Sequence, residues 1–250
     1  MSKTKLYALD FDGVICDSAI ETGLTGWKVA CKVWTDMPAE VPTNMIDLFR
    51  QVRPVMETGY EAALIMRHLF EGVSADALLS HFETHIRQLI RRDEIDIARL
   101  KQRFGETRDS WISDNLNEWI EMNPLFTGIA DKLRQIDNRN MTIITTKQER
   151  FVAKILQANN ITFPAERIYG LDRQLSKQQV LADLLSSHPD HDIFFIEDRL
   201  PTLINVINDT RLKSVKLYFA DWGYNTLEDK LASKQEPLIN IITRDEMLNL

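Results

Sequence analysis

The chain has 250 residues, enough to bury one large core or one core that carries a smaller inserted domain. Its 37 acidic and 30 basic residues give a net charge of −7, which argues against a nucleic-acid or membrane surface and favours small or metal-bridged partners. The apolar runs are too short to span a bilayer or to form a signal-peptide core, so we expect a cytoplasmic protein without a membrane partner.

The first predicted strand ends in two aspartates. An apolar run at residues 6–9 has the composition of a buried strand, and Asp10, Asp12 and Gly13 follow it. Ligands of open α/β sheets bind beyond the carboxyl ends of the strands, so both carboxylates are expected at a substrate site. Two carboxylates this close repel each other when both are ionised, and a bound divalent cation usually offsets this repulsion. The pair therefore indicates a metal-assisted nucleophile and proton carrier, with a simple Asp-Gly turn as the alternative.

A helical block extends from about residue 19 to residue 122. Its apolar residues recur with helical spacing, as at Phe82, Ile86 and Leu89, and strand-like alternation is almost lacking. Asn123-Pro124 closes the block. Breaks between its helices are predicted at Pro38, Pro42, Pro54, Gly72 and Gly105.

Helices and strands alternate in the rest of the chain. Thr127 is predicted to cap a helix, and Thr226 with Asp229 and Thr243 with Glu246 have the spacing of capping boxes. Strands are predicted at residues 141–144, 168–169, 193–196 and 215–219, with helices at about 149–158, around 180–185 and through 203–207. Because helices and strands alternate and the apolar strands do not show a polar–apolar alternation, the pattern predicts an α/β fold: a parallel-sheet, Rossmann-like core with helices on both faces and an inserted all-helical domain.

Three further segments carry polar residues at strand ends or at a helix start. They are Thr145-Thr146-Lys147, Lys177 after Ser176, and Glu197-Asp198. Together they supply a hydroxyl, an ammonium group and more carboxylates. That set suits phosphoryl transfer, in which catalysis depends on positioning and on neutralising charge around the transferred group.

Each residue has a predicted task at such a site. The Thr145 hydroxyl and the Thr146 backbone N–H can hold phosphate oxygens. Lys177 can offset the charge of phosphate and of Asp10, and Asp198 can complete an oxygen-rich magnesium site. Taken singly, the threonines are more often a strand end, the lysine a solvated residue and the acidic pair a helix N-terminus. Four such clusters in one α/β chain make coincidence a poor explanation.

With these motifs the chain resembles the haloacid dehalogenase superfamily of phosphohydrolases. The family pattern is an apolar strand followed by DxD, a strand ending in Thr or Ser, a later Lys and a strand ending in an acidic pair. Its counterparts here are Asp10-Phe11-Asp12-Gly13-Val14, Thr145, Lys177 and Glu197-Asp198. The resemblance covers essentially the whole chain, and it implies an α/β catalytic core of residues 1–18 and 124–250 and a helical cap of residues 19–123.

The resemblance also implies an aspartyl-phosphate mechanism, Mg²⁺ as cofactor and a small phosphorylated substrate. Asp10 would attack phosphorus, and Asp12 would protonate the leaving alcohol and then deprotonate the attacking water. Asp10, the Asp12 backbone carbonyl and Asp198 would hold Mg²⁺. Dehalogenases of the family lack the second acid, so Asp12 favours phosphoryl transfer. Many relatives have another acidic residue four positions after the metal-binding Asp. This chain has Thr202 at that position. Glu197 is expected to take over part of the role of that acid and to contribute to binding the phosphate and substrate.

Two other functions remain open for the same residues: a phosphomutase, which returns the phosphoryl group to a sugar, and a non-catalytic interaction module. In the family the cap selects the substrate, so Arg53 is a candidate contact for a second anionic group. An exposed arginine at a helix end is the slightly favoured alternative. His81 and His85 have helical metal-ligand spacing, but without an evident third ligand a metal there is not expected.

Overall fold

The computed structural model describes residues 3–250, and the chain divides into two compact units. The first, here called the sheet unit, joins Met1–Asp17 to Leu125–Leu250. The second, the helical unit, is Ser18–Pro124. Among the described helices, none combines the length and the apolar character that crossing a membrane requires.

The helical unit is built around buried aromatic and aliphatic side chains, among them Trp27, Phe49 and Leu64. Glycine at position 72, with φ +86°, follows the end of a helix, as the sequence predicted. The break predicted at Gly105 is wrong: one helix passes through this buried glycine, because a helix interior tolerates glycine at a cost of about 1 kcal/mol. The helices of this unit are α1 (Ala19–Val33), α2 (Met45–Val52), α3 (Glu61–Phe70), α4 (Ala75–Arg92), α5 (Ile97–Asp114) and α6 (Leu116–Glu121).

The sheet unit contains six parallel strands in the order β3-β2-β1-β4-β5-β6 among the described residues. Strands and helices alternate along it, which confirms the predicted α/β class. The strands are β1 (Thr4–Leu9), β2 (Met141–Ile144), β3 (Ile168–Tyr169), β4 (His191–Glu197), β5 (Lys216–Ala220) and β6 (Ile239–Ile242). The helices are α7 (Ile129–Gln135), α8 (Glu149–Ala158), α9 (Lys177–Ser187), α10 (Leu200–Ile207), α11 (Leu227–Ser233) and α12 (Arg244–Leu248).

Strands β1 and β4 lie at the centre of the sheet, and the buried stretches 6–9 and 193–196 within them are apolar because both faces of the sheet are covered. Leu6 and Ala8 pack with Phe195 and with residues of α9 and α10. The alternate positions Tyr7 and Leu9 are also buried. Two consecutive strands of the chain, β3 and β4, lie on opposite sides of β1, so the strand order reverses next to β1, which is where open α/β sheets bind ligands.

Two local features differ from the sequence-based expectation. Thr127 does not cap α7, because Gly128 takes the N-cap position in the left-handed conformation, with φ +84°. Strand β6 was not predicted, because its four residues include an exposed Asn240 and pair only with the neighbouring β5. Both predicted capping boxes, at Thr226 and at Thr243, are confirmed.

Candidate active site

The polar residues predicted at strand ends come together because their strands are neighbours in parallel register. Leu9 of β1 pairs with Ile196 of β4, and the Asp10 backbone N–H donates to the Ile196 carbonyl at 2.9 Å. The carboxyl end of β1 is therefore level with Glu197, the last residue of β4. On the other side of β1, Thr145 directly follows β2, and its N–H donates to Tyr169 of β3 at 2.9 Å.

Lys177 lies between two buried carboxylates. Its Nζ is 2.9 Å from Asp10 Oδ1 and 2.7 Å from Glu197 Oε2. Lys177 is the first residue of α9, and the Ser176 hydroxyl caps that helix by accepting from the Gln179 N–H at 3.2 Å. The helix start thus fixes where the lysine stem leaves the backbone.

The electrostatics of this cluster are dominated by burial. Burial, reinforced by the charge of Glu197, raises the pKa of Asp10 to about 7 although Lys177 opposes the shift. For Lys177 the balance is reversed: burial alone would lower its pKa, but the carboxylates of Asp10 and Glu197 outweigh burial and raise it. Lys177 is therefore a permanent cation, whereas Asp10 without a further cation carries a proton over much of the neutral range.

Asp198 is held against two glycines. Its Oδ2 accepts from the Tyr224 backbone N–H at 2.6 Å, and the Asn225 side-chain amide donates to its carbonyl at 3.2 Å. A Cβ atom on Gly13 would lie 2.0 Å from Asp198 Oδ2, and one on Gly223 would lie 2.3 Å from the Asp198 Cβ. Only glycine permits this approach, so both loops are shaped around the carboxylate.

The residues present fit a divalent cation. Asp10, Glu197 and Asp198 are buried and each offers one oxygen within 4.8 Å of the others. Both Glu197 oxygens are already bonded, Oε2 to Lys177 and Oε1 to the Arg199 N–H at 3.0 Å, which leaves Asp10 and Asp198 as the better ligands. Hard carboxylate oxygens are what Mg²⁺ prefers.

The electrostatics of Asp10 support the same conclusion. Burial and the charge of Glu197 keep the pKa of Asp10 raised although Lys177 contacts it. A divalent cation beside Asp10 would favour the ionised carboxylate and oppose this shift.

Asp12 belongs to a second part of the site. Its Oδ1 lies 2.9 Å from Nζ of Lys147, whose side chain is only 1 % exposed. The Lys147 backbone N–H donates to the Thr145 hydroxyl oxygen at 3.1 Å. Thr145 is buried, and a hydroxyl that accepts this bond keeps its own proton as a donor. Thr146, predicted to offer a backbone N–H, is partly buried next to it.

Two groups of candidates belong to the helical unit. Arg53 follows α2 in a short 3-10 helix, and it is 7 % exposed, so the favoured expectation of an exposed helix-end arginine is wrong. Its guanidinium donates to the Met56 carbonyl at 3.3 Å, so part of its hydrogen-bonding capacity is satisfied within the turn and not by solvent. The backbone of His81 leaves helical geometry, and His85 stacks edge-on with His68 instead. Among described residues, the only group of three or more potential metal ligands is Asp10, Glu197 and Asp198.

Sequence reasoning gave no task to three residues of the sheet unit that contact the predicted ones. Lys147 appears there only within the polar run after β2, and Asp17 and Tyr224 carry no predicted role. The Tyr224 hydroxyl donates to Asp17 Oδ1 at 2.8 Å while its backbone N–H binds Asp198. The sequence does show that Lys147 and Tyr224 lie shortly after a parallel strand, where ligands of such sheets bind. It does not show which residue, more than a hundred positions away, each of them contacts.

No protein-family model and no curated protein sequence matches this chain. Solved structures do. A predicted phosphatase from Clostridium acetobutylicum is 16% identical with a TM-score of 0.61, covering 99% of this chain and 98% of that one. A haloacid dehalogenase-like family hydrolase from Streptococcus pneumoniae is 16% identical with a TM-score of 0.54, covering 98% and 97%.

A predicted phosphoglycolate phosphatase from Haemophilus somnus is 15% identical with a TM-score of 0.56, covering 90% of this chain and 88% of that one. At such identities the likeness concerns the fold. The chain has the fold of the haloacid dehalogenase-like hydrolases, and the predicted resemblance is confirmed at that level.

Proposed function

We propose that this protein is a magnesium-dependent phosphate-monoester hydrolase that forms a phosphoryl intermediate on Asp10. The observation that carries the proposal is the position of Asp10: buried at the carboxyl end of the central strand, paired with Lys177 and grouped with Asp198. A carboxylate placed between a permanent cation and a cation site is suited to attack a phosphate group. The phosphatase neighbours of the same fold support this assignment.

In the first step an Asp10 carboxylate oxygen forms a bond to phosphorus while the bond from phosphorus to the ester oxygen breaks. Asp12 gives its proton to that oxygen, and the alcohol leaves. In the second step Asp12 takes a proton from water, the water oxygen bonds to phosphorus and the bond to Asp10 breaks. Inorganic phosphate is released and both aspartates return to their starting states, so atoms and protons balance.

The remaining residues would position the phosphate group and neutralise its charge. The Thr145 hydroxyl and the Thr146 N–H would bind phosphate oxygens, and Lys177 would compensate the charge of phosphate and of Asp10. Glu197 would hold Lys177 in place through the 2.7 Å contact. Mg²⁺, held by Asp10, Asp198 and the Asp12 backbone carbonyl, would supply charge neutralisation at the transferred phosphoryl group when bound.

A panel of phosphate esters tests the proposal. The panel holds p-nitrophenyl phosphate, 2-phosphoglycolate, hexose phosphates and nucleoside monophosphates, with inorganic phosphate as the readout. We expect release from at least one ester with Mg²⁺ and none in excess chelator. D10N is expected to lower kcat by at least about 10³-fold, whereas D131N, a change at an exposed acid of α7, leaves kcat unchanged.

Two outcomes would contradict the proposal. Isomerised hexose phosphate without phosphate release would assign the site to a mutase. Wild-type rates in D10N would remove Asp10 from the chemistry whatever the fold.

A further inference from the structure

Lys147 contacts two residues to which the proposed function gives a chemical task. Its backbone N–H donates to the Thr145 hydroxyl oxygen at 3.1 Å, and its Nζ lies 2.9 Å from Asp12 Oδ1. Its carbonyl accepts from the Leu171 N–H at 3.1 Å, which anchors the segment to the loop after β3. One residue therefore joins the phosphate-binding hydroxyl to the proton carrier.

The burial of Lys147 is unusual for its residue type. Lysine side chains are normally solvated, and an ammonium group is kept in a protein interior only when it is paired. The Lys147 side chain is 1 % exposed, whereas that of Asp12 is 16 % exposed. The Phe11 ring, 6.0 Å from Nζ, adds an apolar neighbour rather than solvent. The buried Lys147 ammonium group is therefore the fixed partner of the pair, and it restrains the more exposed Asp12 carboxyl group.

We infer that Lys147 is a positioning residue: its ammonium group fixes the orientation of the Asp12 carboxylate for proton transfer. The inference rests on the proposed function, which makes Asp12 the proton carrier. An aspartate side chain has two rotatable bonds, and a contact to one oxygen from a buried, backbone-anchored donor selects one arrangement and sets the direction of the other oxygen. Misplacing a catalytic group by about 1 Å costs on the order of 10²-fold in rate.

A direct contact between Lys147 and substrate phosphate is the competing role, and the two roles give different kinetics. A residue that acts by orienting Asp12 affects kcat and loses its effect when Asp12 is changed. A phosphate-binding residue affects KM and product inhibition, and keeps its effect when Asp12 is changed.

The test uses the full chain, Mg²⁺ and the alkyl phosphate of the panel that is hydrolysed fastest, because turnover depends on the Asp12 proton when the leaving group is poor. K147M, close in volume to the native residue, is expected to lower kcat by about 10- to 100-fold, with KM and the inhibition constant of inorganic phosphate within about threefold of wild type. In a D12N background the same change is expected to lower kcat by less than about twofold. K216M removes a lysine from an ion pair with Asp192 and is the matched control, with unchanged kinetics.

K147R keeps a cation beside Asp12 and is expected to retain kcat within about tenfold of wild type; it carries the test if K147M fails to unfold cooperatively. A wild-type kcat in K147M, an equal loss in the D12N background, or a rise in KM and in the phosphate inhibition constant overturns the inference while the proposed function stands. Absence of hydrolysis by the wild-type chain would instead overturn the proposed function and this inference with it.

Discussion

Lys177 Nζ and Asp10 Oδ1 lie 2.9 Å apart in a buried ion pair at the carboxyl end of β1. The pairing does not fully offset the cost of burying the Asp10 carboxylate beside Glu197, because the pKa of Asp10 is still raised to about 7. Asp10 therefore needs a second cation to be ionised as a nucleophile below that pH.

Magnesium affinity is expected to depend on pH through Asp10. Below about pH 7 the cation must displace the Asp10 proton, so its apparent affinity falls about tenfold per pH unit and levels off above pH 7. Titration of Mg²⁺ by thermal shift, from about pH 5.5 to about pH 8.5, measures this. D10N should bind Mg²⁺ weakly and without this slope. A wild-type affinity that does not change across the range would contradict the assigned state of Asp10.

The same shift has a consequence for stability in the absence of metal. The folded pKa of Asp10 lies above its ordinary value of 3.8, so the folded state binds more protons than the unfolded state between about pH 4 and about pH 7. The free energy of unfolding should fall as pH rises through this window, relative to D10N. Urea unfolding of both variants across the window measures the difference, and parallel curves would show that Asp10 ionises normally.

The loss of activity on replacing Asp12 should depend on the leaving group of the ester. Without its proton donor, D12N must expel an alkoxide from an alkyl phosphate, and we expect kcat/KM for such an ester to fall by about 10²- to 10⁴-fold. Nitrophenolate leaves as a stable anion, so the loss of kcat/KM with p-nitrophenyl phosphate should be less than about tenfold. Equal losses for both esters would show that Asp12 is not the general acid.

A methyl group on Gly13 should displace Asp198. The new Cβ would lie 2.0 Å from Asp198 Oδ2, at a backbone φ of +93°. The matched control is G72A, which has nearly the same φ, +86°, but no atom within 4 Å of the new Cβ. Both variants should lose about 1–2 kcal/mol of stability from backbone strain. Only G13A should also raise the Mg²⁺ concentration that gives a half-maximal thermal shift. If G13A and G72A needed the same Mg²⁺ concentration, Asp198 would not be a ligand of the metal.

The buried pair of Glu21 and Arg108 should stabilise the helical unit. Glu21 is fully buried and accepts from the Arg108 guanidinium at 2.6 and 2.8 Å and from the Trp119 indole at 3.1 Å. R108M removes the Arg108 cation from this buried carboxylate and should cost about 3–5 kcal/mol in urea unfolding. R87M breaks an exposed pair with Glu83 and should cost less than about 1 kcal/mol. Similar costs for both variants would contradict this ranking.

The sequence was most informative where chemistry and secondary structure coincide. Apolar runs that end in Asp10, Thr145 and Glu197 predicted both the strands and the edge of the sheet at which these residues meet. Parallel strands place their carboxyl ends at one edge, so the prediction needed no knowledge of the strand order.

What could not be predicted depends on contacts between distant segments. Lys147 has the composition of a surface residue, and only the folded chain shows that its ammonium group is buried beside Asp12. Arg53 is also buried, and its guanidinium donates to the Met56 carbonyl, a contact that exists only once the turn after α2 has formed. Gly105 continues a helix that its own propensity disfavours, since tertiary packing outweighs about 1 kcal/mol.

The most direct test of the central claim is chemical trapping of the intermediate on Asp10. Borohydride reduces an acyl phosphate to the alcohol, so a reaction quenched during turnover with p-nitrophenyl phosphate and Mg²⁺ should yield a peptide in which Asp10 has become homoserine. Mass spectrometry should find this product in the wild type and, in greater amount, in D12N, and not when substrate is omitted. Turnover that leaves Asp10 unmodified, or reduction at another carboxylate, would contradict the assignment of Asp10 as the nucleophile.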